Sequence, residues 1–213
     1  ELTDTATGIL VQATAAKYGA ALDSDWNASG VGTAGTVATS LNGNGYGVSL
    51  LQATGANLTA GMLLEGAVAS TDIVAVNLAT GEQSLLSHSA AAGNLQSEAA
   101  NAAGTMLSAD GHYVLFTAAD ARKLGNAGTA FTDSAPAVND YFATNLHTGQ
   151  VKLLTHSAGD RNASNGAEPT LLGTSTSGYA VFSTADATAF GFTDSAMSTA
   201  DLIAVNLADG SFK

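Results

Sequence analysis

The chain has 213 residues, long enough for a full hydrophobic core, and sets 18 Asp and Glu against 6 Lys and Arg for a net charge of −12. Such an acidic surface repels nucleic acid and anionic membranes and suits cations or a saline, extracellular setting. The 46% hydrophobic content excludes a disordered acidic tail, the lack of Cys excludes a disulfide-stapled scaffold, and no apolar run reaches the ~18 residues of a transmembrane helix.

The chain opens Glu1-Leu2-Thr3, without Met or a signal peptide, and reads as a processed or cut piece of something longer. Residues 8–18 read as a strand, because Leu10-Val11-Gln12-Ala13-Thr14 returns as Leu50-Leu51-Gln52-Ala53-Thr54 and again around Phe116. Two partner strands are expected next and do not follow. The text passes instead to Asp25-Trp26-Asn27-Ala28-Ser29-Gly30, which aligns with Asp160-Arg161-Asn162-Ala163-Ser164-Asn165. A half unit, a deletion, or a stretch of chain missing between Tyr18 and Asp25 would each explain this, and we favour the last.

Three later segments share one pattern. Asp72-Ile73-Val74-Ala75-Val76-Asn77-Leu78-Ala79-Thr80-Gly81 returns 68 residues on as Asp140 to Gly149, and 61 further as Asp201 to Gly210. Each begins with Asp (Asp72, Asp140, Asp201) and carries Asn before the turn (Asn77, Asn145, Asn206). In the second unit a short strand, Thr105 to Ser108, leads through the turn Ala109-Asp110-Gly111 to His112-Tyr113-Val114-Leu115-Phe116-Thr117. Asp-Gly supplies the backbone a tight hairpin wants, and a β-branched and aromatic run is strand-like. A loop then leads to the Asp140 strand, and a turn at Gly149 to Gln150-Val151-Lys152-Leu153-Leu154-Thr155. The third unit repeats this, including the insert Phe131-Thr132-Asp133-Ser134-Ala135 as Phe192-Thr193-Asp194-Ser195-Ala196. Ser211-Phe212-Lys213 begins its fourth strand.

In Ile73-Val74-Ala75-Val76 neighbouring side chains point to opposite sides of a sheet, yet all are apolar. A sheet buried on both faces has sheets stacked above and below it, as in a β-propeller. The expected fold is all-β, in blades of four antiparallel strands. The expected divisions are a partial N-terminal blade with its inter-blade loop (1–35), full blades at 36–104 and 105–169, and a blade at 170–213 cut in its last strand. The Ala-rich stretch Ser89–Ala103 is the one place a helix competes, and its Gly93, Asn94 and Asn101 favour a loop equally.

Ser108-Ala109-Asp110-Gly111-His112-Tyr113-Val114-Leu115-Phe116-Thr117, followed by Asp-x-x-x-x-Asn-Leu-x-Thr-Gly, resembles the TolB-like (WD-type) family of β-propeller repeats over most of residues 36–213. The resemblance implies the propeller fold and a place among periplasmic partner-binding proteins, bacterial surface proteins and adhesins, or propellers appended to peptidases and polysaccharide lyases. The first unit departs from it, with Leu41-Asn42-Gly43-Asn44-Gly45 in place of the Ser-x-Asp-Gly turn. No catalytic residue of a propeller enzyme carries over by motif.

The repeated Asp and Asn are expected to fix loops and cap turns, since a feature present once per blade belongs to the fold before it belongs to a single site. Alternating oxygen ligands are what Ca²⁺ needs. Asp23, Asp25, Asn27 and Ser29 form one such run, and Asp160, Asn162 and Ser164 another. Neither has the terminal acid of an EF-hand, whose place is held by Ala34 and Leu171. Unfolding unchanged by excess chelator would refute calcium. His88 and His156 are equivalent and are expected to bond locally. The inserts Thr59–Thr71, Gly125–Asn139 and Gly191–Ala200 are expected to crowd one face and carry protein or glycan contacts. The whole reads as a non-enzymatic, structural or adhesive module of a secreted or cell-surface bacterial protein, with the periplasm as the alternative location. A self-assembling layer or filament subunit, or the accessory propeller of a peptidase or lyase, stands beside it.

Overall fold

A computed structural model describes residues 103–195 and 199–213 throughout, and before them the segments 2–3, 10–11, 39–41, 47–53, 64–65, 72–77, 83–90 and 96–97. The regular structure there is strand, with two short 3₁₀ turns, so the protein is all-β. In chain order the strands are β1 (Leu2–Thr3), β2 (Leu10–Val11), β3 (Thr39–Leu41), β4 (Gly47–Ala53), β5 (Leu64–Glu65), β6 (Asp72–Asn77), β7 (Gln83–Leu85) and β8 (Gln96–Ser97). The second unit adds β9 (Ala103–Leu107), β10 (Tyr113–Ala118), β11 (Gly125–Asn126), β12 (Thr129–Ala130), β13 (Asp140–Asn145) and β14 (Val151–Leu153). The third adds β15 (Thr170–Thr174), β16 (Tyr179–Thr184) and β17 (Asp201–Asn206).

The three units are antiparallel meanders: β3-β4-β6-β7, β9-β10-β13-β14, and β15-β16-β17. In the third, Phe212 bridges to Val205 where a fourth strand would lie. The register is the same in each. The second strand pairs with the third from Ala53↔Asp72 to Val48↔Asn77, from Ala118↔Asp140 to Tyr113↔Asn145, and from Thr184↔Asp201 to Tyr179↔Asn206. Third and fourth strands align through Val76↔Gln83, Thr144↔Val151 and Val205↔Phe212. Even a bulge recurs, opposite Phe116 in β10 and beside Leu172 in β15. One sequence pattern thus produces one pairing pattern, because a one-residue slip would turn every core side chain outward.

The middle sheet is covered on both faces. One face sends Val114, Phe116, Phe142, Val151 and Leu153 into a core shared with Ile73, Ala75 and Leu86 of the first unit. The other sends Tyr113, Leu115 and Ala143 into a second core with Ala180, Phe182, Ile203 and Val205 of the third. Phe116 and Phe142 stack at 5.6 Å, and Tyr141 meets Phe182 edge-on at 5.1 Å. Each fully buried side chain of this size stabilises the stack by roughly 2–3 kcal/mol.

Some boundaries differ from expectation. The second unit begins at Ala103, two residues before the expected start, because β9 must reach past its bulge to pair with Thr117. In the Ala-rich stretch, Gln96–Ser97 is a strand, paired in parallel with Leu64–Glu65. Within residues 8–18, Leu10–Val11 pairs with Leu2–Thr3. Residues 12–38, which include the suspected join, lie outside the described residues.

Candidate functional site

Asp140 opens β13 and is fully buried. Its Oδ1 accepts from Thr155 Oγ1 at 2.6 Å and from Ser164 Oγ at 2.8 Å. Its Oδ2 is buried with no hydrogen-bond partner among the described residues. Burial lifts its carboxyl from the ordinary 3.8 to about 6; the two hydroxyls oppose the rise and the nearby Asp133 and Asp120 add to it. Thr155 Oγ1 also accepts from Tyr141 N, as Ser87 Oγ accepts from Ile73 N one unit earlier. Asp140 is therefore one end of a link from the start of the third strand to Thr155, two residues past the fourth. Asp201 holds the same place in the third unit, half-buried, and the side chain of Asp72 lies outside the described residues.

The repeated Asn closes the next turn. Asn145 Oδ1 accepts from the backbone of His147 and Thr148, both at 2.9 Å, and Asn206 Oδ1 from Ala208 at 2.8 Å. A short amide that folds back on the backbone ahead of it holds the chain in a turn. The side chain of Asn77 is outside the described residues.

His88 and His156 do not simply bond locally. His88 Nε2 reaches Gly149 O at 2.7 Å, and His156 Nε2 reaches Gly210 O at 2.8 Å. Each ring, buried after the fourth strand of one unit, holds the hairpin of the next. His156 also stacks on Phe212 at 4.3 Å, with Nδ1 against Ser157 O. An unpaired hairpin carbonyl buried at a junction would be costly, and the imidazole satisfies it.

Beside the second clasp lies a cleft of about 530 Å³. The long insert contributes Asn126 and Phe131, the outer strand Lys152, the inter-unit linker Arg161, and the third unit's hairpin Asp209. Asn126 is fixed by a reciprocal amide pair with Val151 at 2.8 and 2.9 Å, which covers part of the β14 edge. Lys152 Nζ donates to Leu207 O at 3.3 Å and to Ala208 O. Burial holds its ammonium below the ordinary lysine range. The amide of Ser211, bonding to the carboxylate, lowers Asp209. At the equivalent place the first unit has Ser84 and the third has Lys213, so the cationic position recurs in two of the three units.

Two of the residues expected to hold calcium already bond within the protein. Ser164 is buried and spends its hydroxyl on Asp140, while Asp160 is exposed and accepts from Asn162 N at 2.8 Å. Among the described residues no group of three or more His, Cys, Asp or Glu converges to hold a metal. Asp23, Asp25, Asn27 and Ser29 lie outside the described residues.

Sequence reasoning missed the hydroxyl partners of Asp140 and the clasping role of His. The signal was present in Leu-Leu-Ser-His-Ser and Leu-Leu-Thr-His-Ser, where a hydroxyl precedes His in both units. The repeated insert is explained too. Asp133 Oδ2 accepts from Ala121 N at 2.9 Å and Asp194 Oδ2 from Ala187 N at 3.4 Å, each closing its loop onto the 3₁₀ turn.

These features define a repeat protein of stacked antiparallel sheets, with its polar chemistry concentrated at the junctions between units. No protein-family model matches the chain, and no curated protein matches it in sequence. Among the described residues no helix is long and apolar enough to cross a membrane.

Proposed function

We propose that the chain is a non-enzymatic module of consecutive β-propeller blades of the TolB-like kind, serving a secreted or cell-surface bacterial protein in a structural or adhesive role. The observation that carries this reading is the common register of the three meanders together with a middle sheet buried on both faces. Blades stacked about an axis require both. The acidic composition, rich in Thr, Ser, Asn and Gly and free of Cys, supports the placement outside the cytosol.

Its contacts, with protein or glycan, run through the long inserts and the cleft lined by the insert that holds Asn126 and Phe131. There a rigid frame presents Arg161, whose guanidinium is exposed, beside Asn126 and Asn162. Loops on a rigid scaffold carry binding. The test is binding of the immobilised chain to panels of polysaccharides and extracellular proteins, repeated with Arg161→Ala and Asn126→Ala. Retention of at least one ligand, weakened about tenfold by the substitutions, is the expected result. Failure to retain any, or retention indifferent to both variants, overturns the assignment of binding to the cleft.

A further inference from the structure

The chain carries 6 Lys and Arg in 213 residues, and two of them, Lys152 and Arg161, line the cleft between the second and third units. Among the described residues that line it, Asp209 is the one acid, so a chain of net charge −12 presents a locally positive recess there. The acid is already engaged, its Oδ1 accepting from Ser211 N at 2.8 Å. The cations are not neutralised. Lys152 Nζ is spent on two backbone carbonyls, those of Leu207 and Ala208. The Arg161 guanidinium makes no hydrogen bond or ion pair among the described residues.

Lys152 is half-buried, so its ammonium has lost water without gaining a carboxylate. Burial holds it below the ordinary lysine range, the pull of Asp209 opposes this, and repulsion from Arg161 adds to it. An ammonium has three donors, and one is left for the cleft. The linker that carries Arg161 is pinned on both sides of it, with Ala163 N donating to Asp160 O at 3.2 Å and Thr132 N to Asn162 O at 2.7 Å. Two cations held near one another without an anion make a place for one.

The rest of the lining narrows the ligand. Phe131, Val151 and Leu153 are buried in the core, so the cleft lacks the exposed aromatic or aliphatic anchors that carry a protein interface. It offers amides instead, from Asn126 and Asn162. Asn126, tied to Val151 at both ends of its amide, keeps one N–H and one lone pair for a ligand. Such groups suit sugar hydroxyls, and a volume of about 530 Å³ is that of a small-ligand site. A long polyanion would meet the repulsion of the whole chain at −12, whereas one carboxylate on an otherwise neutral saccharide would not.

We propose that the cleft binds the carboxylate of an isolated acidic sugar, a uronic acid within or at the end of a neutral saccharide. Arg161 grips the carboxylate as a planar fork, Lys152 Nζ is the second donor, and Asn126 and Asn162 take hydroxyls. The inference rests on the reading of this cleft as the contact site and names its ligand.

An array tests it, on which saccharides with a single uronic acid are printed beside their carboxyl-reduced counterparts, together with neutral glycans and extracellular proteins. At least one acidic saccharide is expected to bind about tenfold or more tighter than its reduced counterpart. Arg161→Ala is expected to abolish that preference and Arg161→Lys to restore part of it, since an ammonium cannot fork. Asp209→Asn keeps an acceptor for Ser211 and removes the opposing charge, and is expected to tighten binding about threefold. Arg161 is exposed, so its variants are expected to keep the parent's unfolding midpoint. Equal binding of acidic and reduced forms, or a preference that survives Arg161→Ala, overturns the proposal. Neutral glycans or proteins retained in place of acidic saccharides, and lost with Asn126→Ala, overturn it and leave the contact reading of the cleft standing. Retention of nothing overturns both.

Discussion

At the scale of single residues, the fold places a carboxylate where a carboxylate is expensive. Asp140 is fully buried, with one oxygen satisfied and the other without a partner among the described residues. Its carboxyl titrates at about 6 in the folded protein against an ordinary 3.8. Between those values the folded state holds a proton that the unfolded state has lost, so stability falls as pH rises through this window. Below it the penalty is absent, and above it the penalty is complete, on the order of 2–3 kcal/mol. Asp140→Asn keeps an acceptor for Thr155 and Ser164 and removes the charge. Urea unfolding at pH 4 and pH 8 is expected to show the variant gaining on the parent at pH 8, by ~2 kcal/mol relative to pH 4. A difference that does not change with pH would show that the carboxylate's charge carries no penalty in the fold. Ionised or protonated, the Asp140 carboxyl still accepts both hydroxyl bonds, and the one from Thr155 ties the start of the third strand to the end of the fourth.

At the scale of elements, the turns and inserts show which parts of the fold are local. The Asn-x-x-x-Gly hairpin and the Asp-Gly turn were legible because their bonds span two to five residues, as from Asn145 to Thr148 or from Ser108 to Tyr113. The strands were legible for the same reason, through alternation and β-branched runs. The partners of Asp140, and the reach of His88 to a carbonyl 61 residues on, were not. Alignment of the units showed that these residues repeat, yet a repeat does not reveal which neighbour each one touches. In the Asx pattern at Asp160 the alternation likewise did not reveal that Ser164 is turned inward to Asp140, 24 residues away. Glycines separate backbone strain from packing. Gly128, at φ 79°, has open space where a Cβ would go, so Gly128→Ala is expected to cost about 1 kcal/mol from the left-handed backbone alone. Gly191, at φ 84°, would set its Cβ 2.4 Å from the Cβ of Ala158 in the inter-unit linker. Gly191→Ala is expected to cost about 2 kcal/mol more than Gly128→Ala, read as a lower denaturant midpoint at constant slope. Equal costs would mean that the insert does not rest on the linker.

At the scale of the molecule, the middle sheet is the shared member of two junctions with separate cores. Phe116 belongs to the junction with the first unit and Phe182 to the junction with the third. In a stack where each unit touches only its neighbours, stability is a sum of unit and junction energies. Removing either ring is expected to cost about 3–5 kcal/mol, since each is fully buried and leaves a cavity that the sheets cannot close. The two losses should add to within about 0.5 kcal/mol in the double variant, because the rings sit on opposite sides of β10 and β13 and share no core. A coupling of 1 kcal/mol or more would show that the strain of one cavity crosses the sheet. The middle unit would then act as a conductor between the two junctions, and the layers could not be treated as independent. The shape of the transition adds a second reading. If the junctions hold the units more strongly than each unit holds itself, all three sheets melt together, and Phe116→Ala lowers a single midpoint. If they do not, the same substitution frees the first unit to unfold at lower denaturant than the second and third, and the curve divides in two. Measuring both variants and their combination by equilibrium unfolding therefore reports whether the chain folds as one body or as units in series.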